Sequence, residues 1–155
     1  TFILDKVSPY FKNIRKEITK SPIYYFYDLG MRNYALGAFG TISLNRDSGF
    51  LFQNFIYQIL KEKVKDTASR IHFWRTTNKA EVDFVVDTGS GVIPIEVKHA
   101  TLTKPILPRS FWSFLTQYQP ERGYIVYPGN ENKIKKFAQT KVEFIPFSQL
   151  LFEDL

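Results

Sequence analysis

Three charged residues in the middle of the chain have the types and the spacing to bind a metal ion and act on a phosphate group. Asp83 lies in one apolar run, and Glu96 and Lys98 form a Glu-x-Lys pattern in the next. Two carboxylates in a partly dry site repel each other unless a cation lies between them. Such hard oxygen ligands suit Mg²⁺ or Mn²⁺. Lys98 could then position an attacking water and offset the charge on a phosphate.

The same pattern also fits a purely structural role for these residues. An acidic residue on one strand and a Glu-x-Lys on its neighbour often form only a cross-strand ion pair at the surface. The pattern is short and occurs readily by chance. Spacing alone therefore favours the ion pair, and a metal site needs further support.

Two apolar runs must position these residues, and both alternate as strands with one buried face do. The apolar residues that we expect to face one side are Val82, Phe84, Val86, Ile93, Ile95 and Val97. Glu81 and Asp83 then lie on the other face of the first strand, and Glu96 and Lys98 on the other face of the second. A turn at 87–91 makes the strands antiparallel neighbours. We therefore expect Asp83, Glu96 and Lys98 to converge, with Glu81 as a candidate accessory ligand.

The remaining elements indicate a mixed α/β or α+β domain with the order α-β-β-β-α-β. The predicted elements are a helix at 49–65, strands at 71–75, 80–86 and 92–98, a helix at 110–118, a strand at 123–127, a helix at 131–139, a strand at 142–145 and a terminal helical turn. Ahead of them, extended segments at 2–10 and 23–27 are expected to pair as a hairpin around the basic stretch 12–20. Asp28 is expected to cap a short helix at 29–36. A loop that follows predicts a division into 1–45 and 46–155.

Composition excludes several classes of protein. The chain has 155 residues, of which 44% are hydrophobic, with 15 Phe, 9 Tyr and 2 Trp, so it is expected to be globular rather than disordered. No apolar run approaches the roughly 20 residues of a membrane-spanning helix. The absence of cysteine excludes disulfides, cysteine-ligated zinc and thiol nucleophiles, and it fits a cytoplasmic protein.

The net charge of +6 is concentrated in two places. Residues 1–22 contain five Lys or Arg against two acidic residues, and residues 61–79 contain six against two. Clustered basic charge favours a polyanion such as nucleic acid, although a solvated basic surface fits equally well. The candidate phosphate contacts in the second cluster are Lys61, Lys65, Arg70, Arg75 and Lys79. The aromatic residues Trp74, Phe73, Phe111, Trp112 and Phe114 could stack on bases, but core packing is the favoured interpretation.

The chain also resembles a known family over nearly its whole length. The matching segments are VSPYFKN at 7–13, SPIYYFYDLGMRN at 21–33, FLFQNF at 50–55, FWRT at 73–76, AEVDFVV at 80–86 and IPIEVK at 93–98. Together they resemble the domain of unknown function attached C-terminally to a group of prokaryotic AAA+-type ATPases. The last two segments are similar to the Asp and Glu-x-Lys motifs of the PD-(D/E)XK nuclease-like superfamily.

This resemblance implies a restriction-endonuclease-like core with a central mixed sheet. It implies Asp83 and Glu96 as metal ligands and Lys98 as the catalytic lysine. The family usually has Glu in the first helix where this chain has Gln53, which can still ligate through its amide oxygen but lacks the negative charge. It also implies a preceding ATPase part that would bind ATP, with residues 2–27 as the wing hairpin of a winged-helix-like module between the two.

Two functions remain as expectations. The first is a Mg²⁺- or Mn²⁺-dependent phosphodiesterase acting on nucleic acid, expected to be DNA, with Gln53 assisting the two carboxylates and Lys98 positioning the water. The second is a catalytically inactive nuclease-like module that binds nucleic acid or a protein partner on behalf of the ATPase. Gln53 and the modest net charge favour the second, whereas the intact Asp83, Glu96 and Lys98 favour the first.

Overall fold

The computed structural model describes residues 3–10, 21–38, 48–100, 102 and 104–155. Within these ranges, a six-stranded mixed sheet lies between helices, and a separate two-stranded hairpin packs beside it. The elements are β1 (Leu4–Val7), β2 (Ile23–Phe26), α1 (Leu29–Ala35), α2 (Ser48–Val64), β3 (Arg70–Arg75), β4 (Glu81–Asp87), β5 (Val92–Val97), α3 (Arg109–Tyr118), β6 (Arg122–Tyr127), β7 (Lys133–Phe137), β8 (Thr140–Pro146) and α4 (Phe147–Leu150). The expected mixed α/β architecture is confirmed.

The strand order in the large sheet is β3-β4-β5-β6-β8-β7. The chain meanders through β3, β4 and β5 as antiparallel neighbours and then crosses over through α3, which makes β5 and β6 parallel. β6 and β8 are also parallel, and β7 pairs antiparallel with β8 at the edge. The sheet is therefore mixed, with its most buried strands in the centre.

A β-bulge interrupts β4 beside Asp83. On β3 the pairing advances two residues, from His72 to Trp74, while on β4 it advances three, from Val85 to Val82. The extra residue shifts the alternation of side chains, so Val82 packs on the opposite face of the sheet from Phe84 and Val86. The expected sharing of one face by Val82, Phe84 and Val86 is therefore wrong for Val82.

The core has two halves, one on each face of the large sheet. α2 covers the first face, where Ile56 and Leu60 are completely buried against the sheet, and α3 covers the second with Phe111, Phe114 and Leu115. The buried residues of α2, which are Asn54, Ile56, Tyr57, Ile59 and Leu60, recur at helical spacing. The sheet is thus buried on both sides, and α2 is the helix that faces Asp83.

The N-terminal hairpin belongs to the first half of the core. β1 and β2 pair antiparallel as expected, and Val7 and Tyr25 are buried in the same cluster as α2. Asn54 of α2 accepts a hydrogen bond from the Phe26 N–H and donates one to the Phe26 carbonyl, both at 2.8 Å. The division at 45/46 stays a prediction, but in packing the hairpin and the main body share one core.

The helix expected at 131–139 is instead the edge strand β7, followed by a turn in which Ala138 has a left-handed φ of 49°. Ile134 and Phe137 have the three-residue spacing of a helix face, yet Ile134 is exposed, because β7 lies at the edge of the sheet. Pairing with β8 outweighs the local pattern, and lysines are typical of such edges.

Asp28 caps α1 as expected, since its side chain accepts a hydrogen bond from the Met31 N–H at 2.9 Å. The basic stretch 12–20 and most of the predicted boundary loop lie outside the described residues. Among the helices that the structure describes, none is long and apolar enough to cross a membrane.

Candidate functional site

Asp83 lies where β4 and β5 stop pairing with each other. The described ladder between the two strands ends at Phe84 and Ile95. Beyond it, Asp83 Oδ2 accepts a hydrogen bond from the Val97 N–H at 2.8 Å. The carboxylate thus replaces a backbone partner and lies in the gap between the strands. Its position beside the bulge places it on the face that α2 covers, where Gln53 reaches it.

Glu96 is the second buried carboxylate, with only 6% of its surface exposed. Its Oε1 pairs with Lys98 Nζ at 2.6 Å, and the Lys98 side chain is 36% exposed. Its Oε2 is buried and accepts no hydrogen bond from any residue in the described ranges. Buried carboxylate oxygens normally have a partner, so this oxygen is suited to a ligand.

Burial raises the pKa of Asp83 well above its ordinary value, and the neighbouring Glu96 carboxylate raises it further. The Val97 N–H and the Lys98 ammonium group act in the opposite direction. Burial also raises the pKa of Glu96, opposed first by its hydrogen bond to Lys98. Burial is the largest cause of both shifts, and the single lysine opposes both. A cation between the carboxylates would stabilise the charged form of both.

Gln53 connects the acidic pair to the N-terminal hairpin. Its Nε2 donates to Asp83 Oδ1 at 3.1 Å and to the Tyr25 hydroxyl at 3.0 Å. Tyr25 is completely buried and stacks on Tyr57 with ring centroids 4.5 Å apart. The sequence identified Gln53 but not Tyr25, because the aromatic run at 24–27 indicated only a strand.

The residues present fit a divalent cation such as Mg²⁺ or Mn²⁺. They offer the carboxylates of Asp83 and Glu96, including the buried Glu96 Oε2, and the Gln53 amide, which can present an oxygen. No group of three or more His, Cys, Asp and Glu residues suited to a metal occurs in the part of the chain that the structure describes. The ligand set would therefore be two carboxylates completed by neutral oxygens and water, which is how proteins often bind Mg²⁺.

Glu81 is engaged elsewhere. Its carboxylate forms a two-point ion pair with Arg75, with N–O distances of 2.9 and 2.6 Å. It still lies close enough to raise the pKa of Asp83 slightly. The structure thus places Glu81 beside the acidic pair rather than between its members.

The five candidate phosphate contacts do not form one surface. Lys61 pairs with Asp5 of the hairpin, and Arg75 pairs with Glu81. Lys65 pairs with Glu62 at 3.3 Å on the exposed side of α2. Arg70 and Lys79 are both exposed but lie at opposite ends of the β3–β4 pair. Of the five, Lys79 and Arg75 are therefore at the end of the sheet that carries Asp83.

Trp74, Trp112 and His99 lie outside the acidic pair and its hydrogen-bonded neighbours. Trp74 is buried and its Nε1 donates to the Tyr118 hydroxyl at 3.2 Å. Trp112 differs from the expected core packing, since 48% of its surface is exposed at one side of α3. His99 follows β5, and its ring lies against Gly49 at the start of α2, where a Cβ would come within 3.6 Å of Nδ1.

The fold resembles a solved structure. It matches 63% of this chain to 27% of a chain in the refined half-complex from the tetradecameric assembly of Thermococcus gammatolerans McrB AAA+ hexamers with bound McrC, with a TM-score of 0.51 and 15% identity. At that identity the likeness concerns the fold alone.

Sequence comparison identifies relatives and a family. An uncharacterized protein of Mycobacterium bovis and one of Mycobacterium tuberculosis are each 30% identical to this chain over 129 residues, which is 82% of this chain. The match spans only 28% of the length of either relative. Residues 48–150, from the start of α2 to the end of α4, match the model of the domain of unknown function DUF4143. The chain therefore belongs to the DUF4143 family.

Proposed function

We propose that this chain is a PD-(D/E)XK nuclease-like domain that binds Mg²⁺ or Mn²⁺ and cleaves phosphodiester bonds in nucleic acid, most suitably DNA. The observation that carries the proposal is the buried Asp83–Glu96 pair. Within the described chain Glu96 Oε2 accepts no hydrogen bond, and Lys98 lies beside the pair, partly exposed. Two buried acids that share a single lysine are unfavourable for stability, because one negative charge is left uncompensated, so their arrangement is better explained by binding than by folding.

The order of elements supports a restriction-endonuclease-like core as part of this proposal. A helix, α2, precedes three antiparallel strands, and a crossover helix, α3, leads to a parallel fourth strand. Asp83 lies on the second of these strands and Glu96 and Lys98 at the end of the third, which is the order that the sequence motifs imply.

In the proposed mechanism, Asp83 and Glu96 hold the cation, and Gln53 lies beside them. The cation, when bound, would supply Lewis-acid activation of a water and of the phosphate. Lys98 already reaches Glu96 Oε1 at 2.6 Å and is exposed enough to contact a substrate. Its ammonium group orients the attacking water and offsets the charge that develops on the phosphate oxygens.

We also propose that the domain serves an AAA+-type ATPase, with ATP bound by that other part. Two observations support this association. The curated relatives are much longer than this chain, which spans 28% of their length. The similar solved structure is an assembly of McrB AAA+ hexamers with bound McrC.

A second candidate function is a nuclease-like module without catalysis that binds nucleic acid or a protein partner for the ATPase. It is favoured by the orientation of Gln53, whose amide nitrogen rather than oxygen faces Asp83. Two of the candidate phosphate contacts, Lys61 and Arg75, are already engaged in ion pairs, and this also favours the second function.

Thermal unfolding with and without Mn²⁺ tests the metal site. A metal concentration 100 times its Kd adds about 2.7 kcal/mol to the free energy of unfolding. For a chain of this size that corresponds to a rise in Tm on the order of 5–10 °C. We expect this rise in the parent and not in Asp83→Ala. A parent Tm that does not respond to Mn²⁺ would contradict the metal site.

Nicking of supercoiled plasmid DNA separates the two functions. We expect the parent to nick DNA in Mn²⁺ and Lys98→Ala to be inactive while still showing the Mn²⁺-dependent rise in Tm. A parent that binds Mn²⁺ and DNA but leaves the plasmid intact would favour the inactive module. Nicking that survives in Lys98→Ala would contradict the role of the lysine.

A further inference from the structure

Tyr25 reaches the acidic site from an element that the sequence places outside it. It lies in β2 of the N-terminal hairpin, yet its hydroxyl accepts a hydrogen bond from Gln53 Nε2 at 3.0 Å. The same nitrogen donates to Asp83 Oδ1 at 3.1 Å. Side chains from the hairpin, from α2 and from β4 thus form one continuous hydrogen-bonded chain that ends at a proposed metal ligand.

The position of the Tyr25 hydroxyl is fixed by packing. The ring is completely buried and stacks nearly parallel to the rings of Phe50 and Tyr57, with interplanar angles of 9° and 17°. The neighbouring residue Phe26 is tied to α2 through both of its backbone groups by Asn54. A hydroxyl held this firmly can determine where the Gln53 amide lies.

The hydrogen bond between Tyr25 and Gln53 can persist when the amide turns over. A tyrosine hydroxyl both donates and accepts, and a glutamine amide offers an oxygen and a nitrogen of nearly the same shape. In the observed orientation the nitrogen faces Asp83 and partly compensates its charge. In the reversed orientation the Tyr25 O–H would donate to Gln53 Oε1, which would then occupy the place of Nε2.

A cation would favour the reversed orientation. The reversed Oε1 would lie 3.1 Å from Asp83 Oδ1, because Nε2 now lies at that distance. Two oxygens at this distance repel each other in the absence of a cation. Oxygens that share one Mg²⁺ as adjacent ligands lie about 3 Å apart, given bonds of about 2.1 Å at right angles. The observed spacing therefore suits either a hydrogen bond or a shared cation.

We propose that Tyr25 is a positioning residue that holds Gln53 against Asp83 in both amide orientations and so makes the Gln53 oxygen a third protein ligand when the cation is bound. The inference rests on the proposed metal site and goes beyond it. It assigns a part of that site to the N-terminal hairpin. Partners that orient metal ligands in this way typically contribute 10–100-fold to metal affinity.

The test measures Mn²⁺ affinity by isothermal titration calorimetry on the full chain at pH 8. Tyr25→Phe removes only the hydroxyl and leaves the stacked ring. Tyr57→Phe is the matched control, because it removes a hydroxyl from the adjacent stacked ring whose partner is Asp5 rather than Gln53. We expect Tyr25→Phe to weaken Mn²⁺ binding by about tenfold or more. Tyr57→Phe should leave the affinity within about twofold of the parent, since Asp5 is not a proposed ligand.

A double-mutant cycle tests whether Tyr25 acts through Gln53. We expect Gln53→Ala to weaken Mn²⁺ binding, and the addition of Tyr25→Phe to that variant to have no further effect. Equal Mn²⁺ affinity of Tyr25→Phe and the parent would overturn the inference. So would a loss from Tyr25→Phe that is as large in the Gln53→Ala variant as in the parent. Absence of Mn²⁺ binding in the parent would instead contradict the proposed metal site, and the inference with it.

A second measurement uses only the parent protein, so it tests the inference even if Tyr25→Phe does not fold. In ¹⁵N-labelled parent, addition of Mg²⁺ should shift the side-chain NH₂ signals of Gln53, because the amide turns over. Those of Gln58 should stay in place, since Gln58 bonds the hairpin backbone at Phe26 and Tyr27. Unchanged Gln53 signals in Mg²⁺-saturated protein would overturn the inference.

Discussion

At the scale of single residues, the two acidic side chains of the proposed site are buried in a way that opposes folding. Asp83 and Glu96 are buried together with one lysine. Burial raises the pKa of both, and the Glu96 carboxylate raises the pKa of Asp83 further. Asp5 shows the contrast, because its carboxylate accepts hydrogen bonds from Tyr57 and Lys61 and so contributes to the attachment of the hairpin. Acidic residues that oppose folding are typical of functional sites.

We expect Asp83→Asn to raise the free energy of unfolding of the metal-free protein at pH 8, by on the order of 1 kcal/mol. The substitution removes the repulsion with Glu96, and the Gln53 amide can turn over to accept a hydrogen bond from the new side chain. Urea denaturation measures the change. Asp5→Asn is the control and should lower the free energy, because it weakens the pairing with Lys61. A comparable loss in Asp83→Asn would show that the acidic pair stabilises the fold.

His72 predicts a dependence of stability on pH that is separate from the site. Burial lowers its pKa in the folded state, while its backbone hydrogen bond at Ser8 and the charge of Asp87 oppose the shift and Arg70 adds to it. A lowered pKa means that the folded protein disfavours the charged imidazole. The contribution of His72 to stability is therefore complete above about pH 6.5 and is lost as the pH falls through that value.

We accordingly expect His72→Gln to lose less stability than the parent between pH 7.5 and pH 5.5, as measured by the urea midpoint at each pH. His99→Gln is the matched substitution at the chain's other histidine, whose side chain is exposed. Identical profiles for the parent and His72→Gln would contradict the assignment.

At the level of elements, the sequence predicted the positions of the buried strands. It failed where pairing between distant segments determines the secondary structure. Alternation located β4 and β5 because both strands are largely buried. It failed for β7, whose lysines and exposed Ile134 carry no signal of a buried face. It also could not show the bulge in β4, since one additional residue changes the pairing without changing the pattern.

The docking of the hairpin on α2 is the element-level feature with the clearest test. Asn54→Ala would leave the Phe26 N–H without its partner and remove one of the donors to the Phe26 carbonyl. We expect a loss of about 2–3 kcal/mol in the free energy of unfolding, because buried polar groups are left unpaired. Gln58→Ala should cost less, since Asn54 still bonds Phe26. Equal effects of the two substitutions would contradict the account of how the hairpin is attached.

For the whole molecule, the candidate site residues that the sequence predicts, Asp83, Glu96, Lys98 and Gln53, lie close together in the structure. Tyr25 could not be identified because it is far from Asp83 in the chain and acts through Gln53. The basic cluster at 61–79 suggests a surface for a polyanion, but ion pairs of Lys61 with Asp5 and of Arg75 with Glu81 engage part of its charge. The number of basic residues in the sequence therefore overstates the positive charge that is free to bind a polyanion.

Exposed basic residues at the end of the sheet that carries Asp83 should contribute to DNA binding. We expect Lys79→Ala to weaken DNA binding and to reduce the slope of log affinity against log salt by about 1. Arg70→Ala is the control, because Arg70 is equally exposed but lies at the other end of β3. Fluorescence anisotropy over a range of salt concentrations measures both. A larger effect at Arg70 would place the nucleic acid elsewhere.

The central claim is that the buried Asp83–Glu96 pair binds a divalent cation. Titration of Mn²⁺ into the full chain, followed by the electron paramagnetic resonance signal of free Mn²⁺, counts the bound ions directly. We predict one Mn²⁺ per chain, lost in Asp83→Ala and Glu96→Ala but retained in Glu81→Gln, because the Glu81 carboxylate of the parent is paired with Arg75. A parent that binds no Mn²⁺, or binding that survives in both alanine variants, would contradict it.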